Sequence, residues 1–433
     1  MTYRDVRPGE HVLYDIIQDH YVGVDDSTLA MLEQREGRSP PTLEESELED
    51  ALAEQGLLIA DRAADDARLR TFLETAAGGI PGAMYVTLMP TLACNLACTY
   101  CFQKEHPSFT RMKDPTEAAT VEWILRRVDA AASQKLILHY FGGEPLTRKD
   151  FLLRTAEIFS SAMAARGGTF VWEITTNGLG LDVEFANAMQ VHGPGTIKVT
   201  LDGDKATHDA ARVCRNGKGS FDEIFRNTVA VAHGCPTLKL RIGGNFMPEQ
   251  AASYERLLDR LEAAGLAGLI DRLRFKPVMD AGLQAEGTCT TCASGGDAET
   301  KTLVALGRAI EQRGLTRPSQ GSMLPAGPCE LHWKNSYIID PEGLVYKCPA
   351  VAGRREMAVA SVKNAGALEK IAPLVELRPW EQCGDCPFLP VCVGGCLGGK
   401  YLQTGKTNQV FCKKEQFEKQ FQTEIQERYL AEF

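Results

Sequence analysis

The 433-residue sequence contains no apolar run of about 18 residues, the minimum for a membrane-crossing helix, so no transmembrane segment is expected. Its opening, MTYRDVRPGEHVLYDIIQ, carries charge but lacks the apolar h-region of a secretory signal, so the expected location is the cytoplasm. A basic excess is missing too. Lys and Arg number 47 against 57 Asp and Glu, a net charge of −10 that argues against a partner held through phosphates; neither nucleic acid nor membrane is expected. Internal repeats and low-complexity tracts are absent apart from an alternation of strand and helix patterns. Apolar residues at 44% and charged residues at 24% describe an ordinary globular protein, long enough for about two or three domains.

What is abundant is cysteine, with 14 residues. In a reducing compartment that number points to metal or redox chemistry rather than a disulfide framework. Three fall within Cys94–Cys101 and seven between Cys329 and Cys412.

Residues 1–75 read as a small winged-helix-like module. HVLYDIIQ and HYVGVDD are strand-like, STLAMLEQ is helical, and Thr42 and Glu45 form a capping box opening ELEDALAEQG, which Gly56 ends. LLIADRA is expected to be a closing wing strand, leaving an open strand edge. Residues 76–285 alternate strand and helix, with strands expected at 84–90, 135–141, 170–177, 196–202, 238–246 and 273–279. A helix opens at Asp114 with Pro115 and Glu117 behind it, and Phe221, Ile224, Phe225, Thr228 and Val229 share one helical face. Such a series implies a parallel sheet, either doubly wound or a partial barrel, with chemistry at the carboxyl ends of its strands. Residues 286–325 read as a linker or bridging region, 326–412 as a cysteine-rich domain and 413–433 as an amphipathic helix.

Cys94, Cys98 and Cys101 form C-x3-C-x2-C directly after the first strand of the series. Three thiolates hold three irons of a [4Fe–4S] cluster and leave the fourth open to a ligand. The competing reading, a structural zinc knuckle, wants a fourth protein ligand; the nearest candidate, His106, is not spaced for it. FGGEP (141–145), TTNG (175–178) and TLDG (200–203) then end the second, third and fourth strands.

With CNLACTYCF, these motifs make residues 83–280 resemble the radical S-adenosylmethionine (SAM) superfamily. The resemblance implies a partial (β/α)6 TIM-like barrel. It places Tyr100 and Phe102 against the adenine of SAM, and Gly142, Gly143 and Glu144 at the methionine amine. Thr200 and Arg212 take the places of a serine and an arginine that contact the cofactor, and Leu273 takes an adenine-side position. Chemically, Glu144 and backbone carbonyls suit an ammonium, and the Arg212 fork suits a carboxylate. Asp202 and His208 accompany the motif without an assigned role.

Cys329 is followed by Gly343 and Cys348, then by Cys383-x2-Cys386-x5-Cys392-x3-Cys396 and Cys412. A pair of zinc ribbons is the plainer reading of so many thiols. The spacing resembles the SPASM extension of radical SAM enzymes, which implies two auxiliary [4Fe–4S] clusters, one on Cys329, Cys348 and Cys396 and one on Cys383, Cys386, Cys392 and Cys412. Asn335 stands where some relatives have a further cysteine, so the first of these sets lacks a ligand, for which Cys289 and Cys292 are candidates. Cys214 and Cys235 are expected to be structural.

The resemblance implies three [4Fe–4S] clusters, SAM, a flavodoxin- or ferredoxin-type electron donor, and a 5′-deoxyadenosyl radical that takes a substrate hydrogen. It points to an oxidoreductase-type enzyme installing a thioether, carbon–carbon or similar cross-link in a ribosomally made precursor peptide. The N-terminal unit resembles the leader-peptide recognition modules found ahead of such enzymes, which bind a leader by strand addition. Two alternatives stand beside this. Anaerobic sulfatase-maturating enzymes resemble the chain over residues 83–412 but carry an Asp as base after the second SPASM cysteine, where this chain has Pro349. A non-catalytic iron–sulfur carrier or scaffold would need no clamp for SAM. No residue is identifiable from the sequence as the catalytic base.

Overall fold

The computed structural model describes residues 1–34, 42–59, 61–101, 103, 110–277, 297–317, 329–363, 378–406 and 409–432. The expectations for Phe102, His106, Cys289 and Cys292 lie outside these residues.

The N-terminal unit begins with three antiparallel strands, β1 (Thr2–Arg7), β2 (Glu10–Asp15) and β3 (His20–Asp25), with β2 in the middle. β1 was not expected: TYRDVR carries charge at half of its positions, and of its side chains only Tyr3 is buried. Helices α1 (Asp26–Glu33) and α2 (Leu43–Glu54) follow. The capping box forms, with Thr42 N–H donating to Glu45 Oε2 at 2.7 Å and Glu45 N–H to Thr42 Oγ1 at 3.2 Å. The expected wing strand does not. Leu57 and Leu58 sit in a turn packed beside α2, and α3 (Arg62–Ala77) begins where the strand was to end. Asp61 caps α3 by accepting from Ala64 N–H at 2.9 Å, and the Ala-, Arg- and Glu-rich run behind it favours helix.

The main body is a mixed α/β barrel portion. Strands β4 (Ala83–Leu88), β5 (Lys135–Tyr140), β6 (Thr169–Thr176), β7 (Gly195–Thr200), β8 (Lys239–Phe246) and β9 (Ile270–Pro277) lie in sequence order, each parallel to the next. Between them run α4 (Asp114–Ala130), α5 (Lys149–Ala165), α6 (Val183–Gln190), α7 (Lys205–Ala211), α8 (Phe221–Gly234) and α9 (Ala251–Ala263). One face of the sheet is apolar, with Leu88, Leu138, Trp172, Val199, Ile242 and Phe275 buried in the main core. The other face carries Tyr85, His139, Glu173, Lys198, Arg241 and Arg274, alternating with the first set as a pleated strand requires. The N-cap of α4 is Lys113 rather than Asp114. Glu117, instead of capping, pairs with Arg154 through bonds of 2.8 and 2.7 Å.

The C-terminal third continues the same body. Within the stretch read as a bridging region, α10 (Asp297–Gln312) buries Leu306, Ala309 and Ile310 in the main core. β10 (Ser336–Ile339) adds in parallel beside β4, and β11 (Leu344–Tyr346) and β12 (Ala360–Ser361) extend the sheet antiparallel to nine strands. Short helices α11 (Leu389–Cys392) and α12 (Leu397–Thr404) precede the final helix, α13 (Lys414–Glu432). Phe421, Ile425 and Tyr429 of α13 pack on Tyr3, Val12 and Tyr14, so the two ends of the chain share one apolar cluster. Among the described residues no helix is long and apolar enough to cross a membrane.

Candidate active site

The loop after β4 is tied down on two sides. Ala97 N–H donates to Val213 O at 2.8 Å, Thr99 N–H to Ala211 O at 3.0 Å and Arg215 N–H to Asn95 O at 3.1 Å, so the segment after α7 runs along it. Cys214 takes part through its backbone, bridged to Leu96. On the other side, Gly143 N–H donates to Thr91 O at 3.0 Å and Glu144 N–H to Ala93 O at 2.8 Å. A Cβ on Gly142 would meet Thr91 O at 2.4 Å and one on Gly143 would meet Ala93 O at 2.2 Å, so only glycine permits this approach.

Cys94, Cys98 and Cys101 are half-buried within this frame. Burial pushes the Cys98 thiol up to about 11, with Cys101 and Cys94 adding to it and Arg212 opposing it. Burial likewise raises Cys94, which also feels Glu144 and Cys101. The three sulfurs therefore lie within electrostatic reach of one another. Among the described residues no three His, Cys, Asp or Glu groups converge on a single metal ion. A four-iron cluster gives each thiolate its own iron and asks for no such convergence.

Glu144 is 1% exposed. Its Oε1 accepts from Leu146 N–H at 2.9 Å and Thr176 Oγ1 at 2.6 Å, and its Oε2 accepts from Asn177 N–H at 2.7 Å. The resemblance implies that this carboxylate meets the cofactor amine; three of its acceptor positions are engaged within the protein, which leaves about one. FGGEP and TTNG are thus two halves of a single clasp. Asn177 Nδ2 extends it, donating to Asn95 Oδ1 at 2.7 Å and approaching Cys94 Sγ at 3.8 Å.

A second network crosses the carboxyl ends of β7 and β8. Tyr100 donates its hydroxyl to Asp202 and accepts from Arg212 Nη1 at 2.7 Å and from Asn245 Nδ2 at 3.3 Å. Asp202 also accepts from Asn245 N–H at 2.8 Å and lies 3.7 Å from Arg212. Burial opposes the Arg212 charge, but Tyr100 and Asp202 outweigh it and hold its pKa above the usual value. Among the described residues Arg212 Nε is buried with no hydrogen-bond partner, a donor left over inside the site. His208 braces the turn, accepting from Asp202 N–H at 3.2 Å, with Ser220 Oγ 3.1 Å from its other ring nitrogen. Burial lowers its pKa to about 3, so it stands neutral. Asn245 was missed from sequence; its signal was a polar residue near the end of the fifth strand of the series, where chemistry was expected.

Thr200, the last residue of β7, lies opposite Gly243 and shares the inner face with Lys198. Leu273 does not join the site. It shares the apolar side of β9 with Phe275, which packs on Tyr254 of α9, and the polar residues Arg272 and Arg274 flank it. Half-buried thiols, glycines that admit close approach and an unsatisfied guanidinium nitrogen suit a thiolate-held cluster beside a cofactor bearing a carboxylate.

The seven later cysteines sort into two groups. Burial pushes Cys329 up to about 11 and raises Cys348 further, and each also feels the charge of Cys396. Gly398 and Gly399 line this first group: a Cβ on Gly398 would meet Cys348 Sγ at 2.6 Å, and Gly399 N–H donates to Cys396 Sγ at 3.3 Å. Burial raises Cys383 to about 11, with Cys392, Cys386 and Cys412 adding to it. Pro349 opens a turn directly after Cys348 and brings no titratable group. Asn335 contributes its backbone carbonyl to Tyr85 N–H at 2.9 Å. Cys235 is buried in the main core, its thiol 3.4 Å from Asn187 Oδ1.

A family model for the radical SAM superfamily matches residues 88–266. The chain is 28% identical over 345 residues to the mycofactocin maturase MftC of Mycobacterium ulcerans (strain Agy99), covering 75% of this chain and 85% of that one. It is 24% identical over 362 residues to a cysteine-type anaerobic sulfatase-maturating enzyme of Clostridium novyi (strain NT), covering 75% and 92%. Among solved structures, anSMEcpe with bound AdoMet superposes with a TM-score of 0.60 at 16% identity, over 79% of this chain and 99% of that one. Streptococcus suis SuiB bound to precursor peptide SuiA superposes with a TM-score of 0.54 at 14% identity, over 95% and 98%. The last two establish the fold alone, a partial barrel of parallel strands. Motifs, barrel and family model agree on a radical SAM domain over residues 88–266, in a SAM-dependent enzyme related to the mycofactocin and anaerobic sulfatase maturases.

Proposed function

We propose that this enzyme installs a cross-link, thioether, carbon–carbon or similar, in a ribosomally made precursor peptide. Cys94, Cys98 and Cys101 hold the radical-generating [4Fe–4S] cluster. Bound there, cluster and SAM supply a 5′-deoxyadenosyl radical that removes a hydrogen atom from the substrate. Arg212 takes the cofactor carboxylate, with Tyr100 and Asp202 fixing its orientation, and Thr200 contributes its hydroxyl from the end of β7. Glu144 holds the GGEP and TTNG turns against the cysteine loop, so its part in binding the amine is chiefly through the backbone it positions. Cys329, Cys348 and Cys396 hold one auxiliary cluster and Cys383, Cys386, Cys392 and Cys412 the other, which accept an electron from the substrate radical, while a flavodoxin- or ferredoxin-type donor supplies the electron that the first cluster needs.

The observation that carries the choice of a peptide maturase is the N-terminal unit. Among the described residues β3 pairs with β2 alone, as the last strand of its sheet, and β3 and α2 flank a groove of about 580 Å³ lined by Val22, Val24, Leu48 and Leu52. An extended leader adds to such an edge through its backbone and seats apolar side chains in such a groove. The likeness to SuiB, whose solved complex contains a precursor peptide, spans 95% of the chain and so includes most of this unit. The sulfatase-maturase alternative is disfavoured by Pro349, which has no proton-accepting group where those enzymes carry their base.

The test is anaerobic incubation of the reconstituted enzyme with SAM, a low-potential reductant and any short peptide found encoded beside its gene. A mass loss of two hydrogens in the peptide per cross-link, matched by 5′-deoxyadenosine, supports the reading. Formylglycine formed in a sulfatase-derived peptide, with the neighbouring peptide untouched, would replace it with the alternative.

A further inference from the structure

Over β7, β8 and β9 the inner wall of the barrel is basic, on a chain whose net charge is −10. Lys198 on β7, Arg241 on β8 and Arg272 on β9 stand directly opposite one another across three neighbouring strands. Arg274 and Lys276 continue the same face of β9 towards the cofactor end. Like charges placed opposite each other across strands are destabilising unless an anion lies among them. Of the five, only Arg241 has a carboxylate within 4.0 Å among the described residues, Asp271 at 2.7 Å, and Arg274 feels the Glu424 carboxylate of α13 from further away.

These side chains are recessed but open. Their residues are exposed to solvent, yet burial is the largest influence lowering the pKa of Lys198, Arg274 and Lys276, as at the wall of a concavity. The next influence on Lys198 is Lys276, so these two cations share one space. Lys276 also feels Cys396 and Asp202, so it lies within electrostatic reach of the first group of later cysteines and of the Tyr100–Asp202–Arg212 network. Gly243, between Lys198 and Arg274, has no side chain to fill the gap; a Cβ there would meet Lys198 Cε at 2.8 Å.

We infer that Lys198, Arg274 and Lys276 bind a carboxylate carried by the peptide substrate, so that an acidic residue of the core peptide enters the barrel. The inference rests on the peptide reading above. Arg212 already serves the carboxylate of the cofactor, which leaves the wall cations for the peptide. A recessed site strengthens charge-assisted contacts relative to open water and makes the acidic residue an anchor that sets which neighbouring residue meets the radical.

The test uses anaerobic holoenzyme with SAM and three fluorescein-labelled decapeptides alternating Gly with Glu, Gln or Lys, read by fluorescence anisotropy. The Glu peptide is expected to bind about tenfold tighter than the Gln peptide, about 1.4 kcal/mol, and the Lys peptide weakest. Lys198→Gln/Lys276→Gln reduces the Glu preference to about twofold or less. Arg126→Gln/Arg226→Gln, which removes equal charge from the exposed outer helices, preserves it. Thermal melts show whether each variant is folded, and Lys276→Arg, which keeps the charge, restores the preference if the inner-wall variant melts early. No binding of the Glu peptide, equal binding of Glu and Gln peptides, or a preference that survives the inner-wall substitutions overturns the inference. Failure of the peptide reading is a separate result, since it appears as an unmodified neighbouring peptide whatever the charge preference.

Discussion

Asn177 and Glu144 join the ends of two neighbouring strands through one short bond, the Asn177 N–H donating to Glu144 Oε2 at 2.7 Å. Thr176 adds a second at 2.6 Å to the other oxygen, and the Asn177 side chain reaches on to Asn95 in the cysteine loop. Two turn motifs and the thiol loop are therefore one mechanical unit.

Glu144→Gln breaks that unit. An amide has one acceptor oxygen, so its NH2 group must face either Thr176 and Leu146 or Asn177. The expected cost is about 2–3 kcal/mol, the range for losing a buried bond to a charged group, read as a lower midpoint in urea with an unchanged slope. An unchanged midpoint contradicts the clasp.

Tyr100→Phe removes the hydroxyl shared by Arg212, Asp202 and Asn245. The guanidinium then lies 3.7 Å from Asp202 with nothing between them to hold its orientation. Affinity for SAM, measured by equilibrium dialysis, is expected to fall about tenfold, from the loss of one bond to a charged group. Affinity within twofold of wild type contradicts the role given to Tyr100.

Gly143→Ala places a methyl group 2.2 Å from Ala93 O, a contact only backbone movement relieves. The loop bearing Cys94 shifts with it. Iron and sulfide per chain are expected to fall while the auxiliary signals persist in electron paramagnetic resonance; full occupancy of all clusters contradicts the close approach.

His139 links Thr87 and Thr175 across the inner wall, and burial, with Lys198 adding to it, lowers its pKa from 6.5 to about 4. Between those values the unfolded chain binds the proton that the folded chain refuses. Stability is therefore present above pH 6.5 and is lost as pH falls towards 4, by up to about 3 kcal/mol. His139→Gln is expected to flatten the difference between pH 6.5 and 4 in parallel denaturation curves, and equal slopes for both chains contradict it. Cluster loss in acid is common to both.

The barrel was legible because its strands carry long apolar runs of parallel-sheet character, as in MYVTLMP and KLILHYF, separated by capped amphipathic helices. β1 was not, because a charged edge strand lacks that signal; it gains its partner only from the fold. LLIADRA misled because its apolar start was read without the Asp61 cap that begins α3 behind it. The continuation of the barrel sheet through β10 to β12 depends on contacts more than 200 residues apart, beyond any local pattern. At the site, cysteine spacing and the GGEP and TTNG motifs carried their own addresses. The bonds of Glu144 to its neighbours and the burial of Leu273 did not, since a motif names a residue without showing which way it faces. The basic inner wall did leave a trace in LKLRIGG and LRFKPVM, where cations alternate with apolar residues as on a strand with one open face.

The most direct test of the account is 5′-deoxyadenosine release by anaerobically reconstituted enzyme given SAM and dithionite, with iron counted in the same samples. Wild type is expected to form it, Cys94→Ala to form none, and Cys383→Ala to form some while leaving the peptide unfinished and losing about one cluster of iron. Wild-type protein that contains zinc without iron or sulfide and releases no 5′-deoxyadenosine would contradict it.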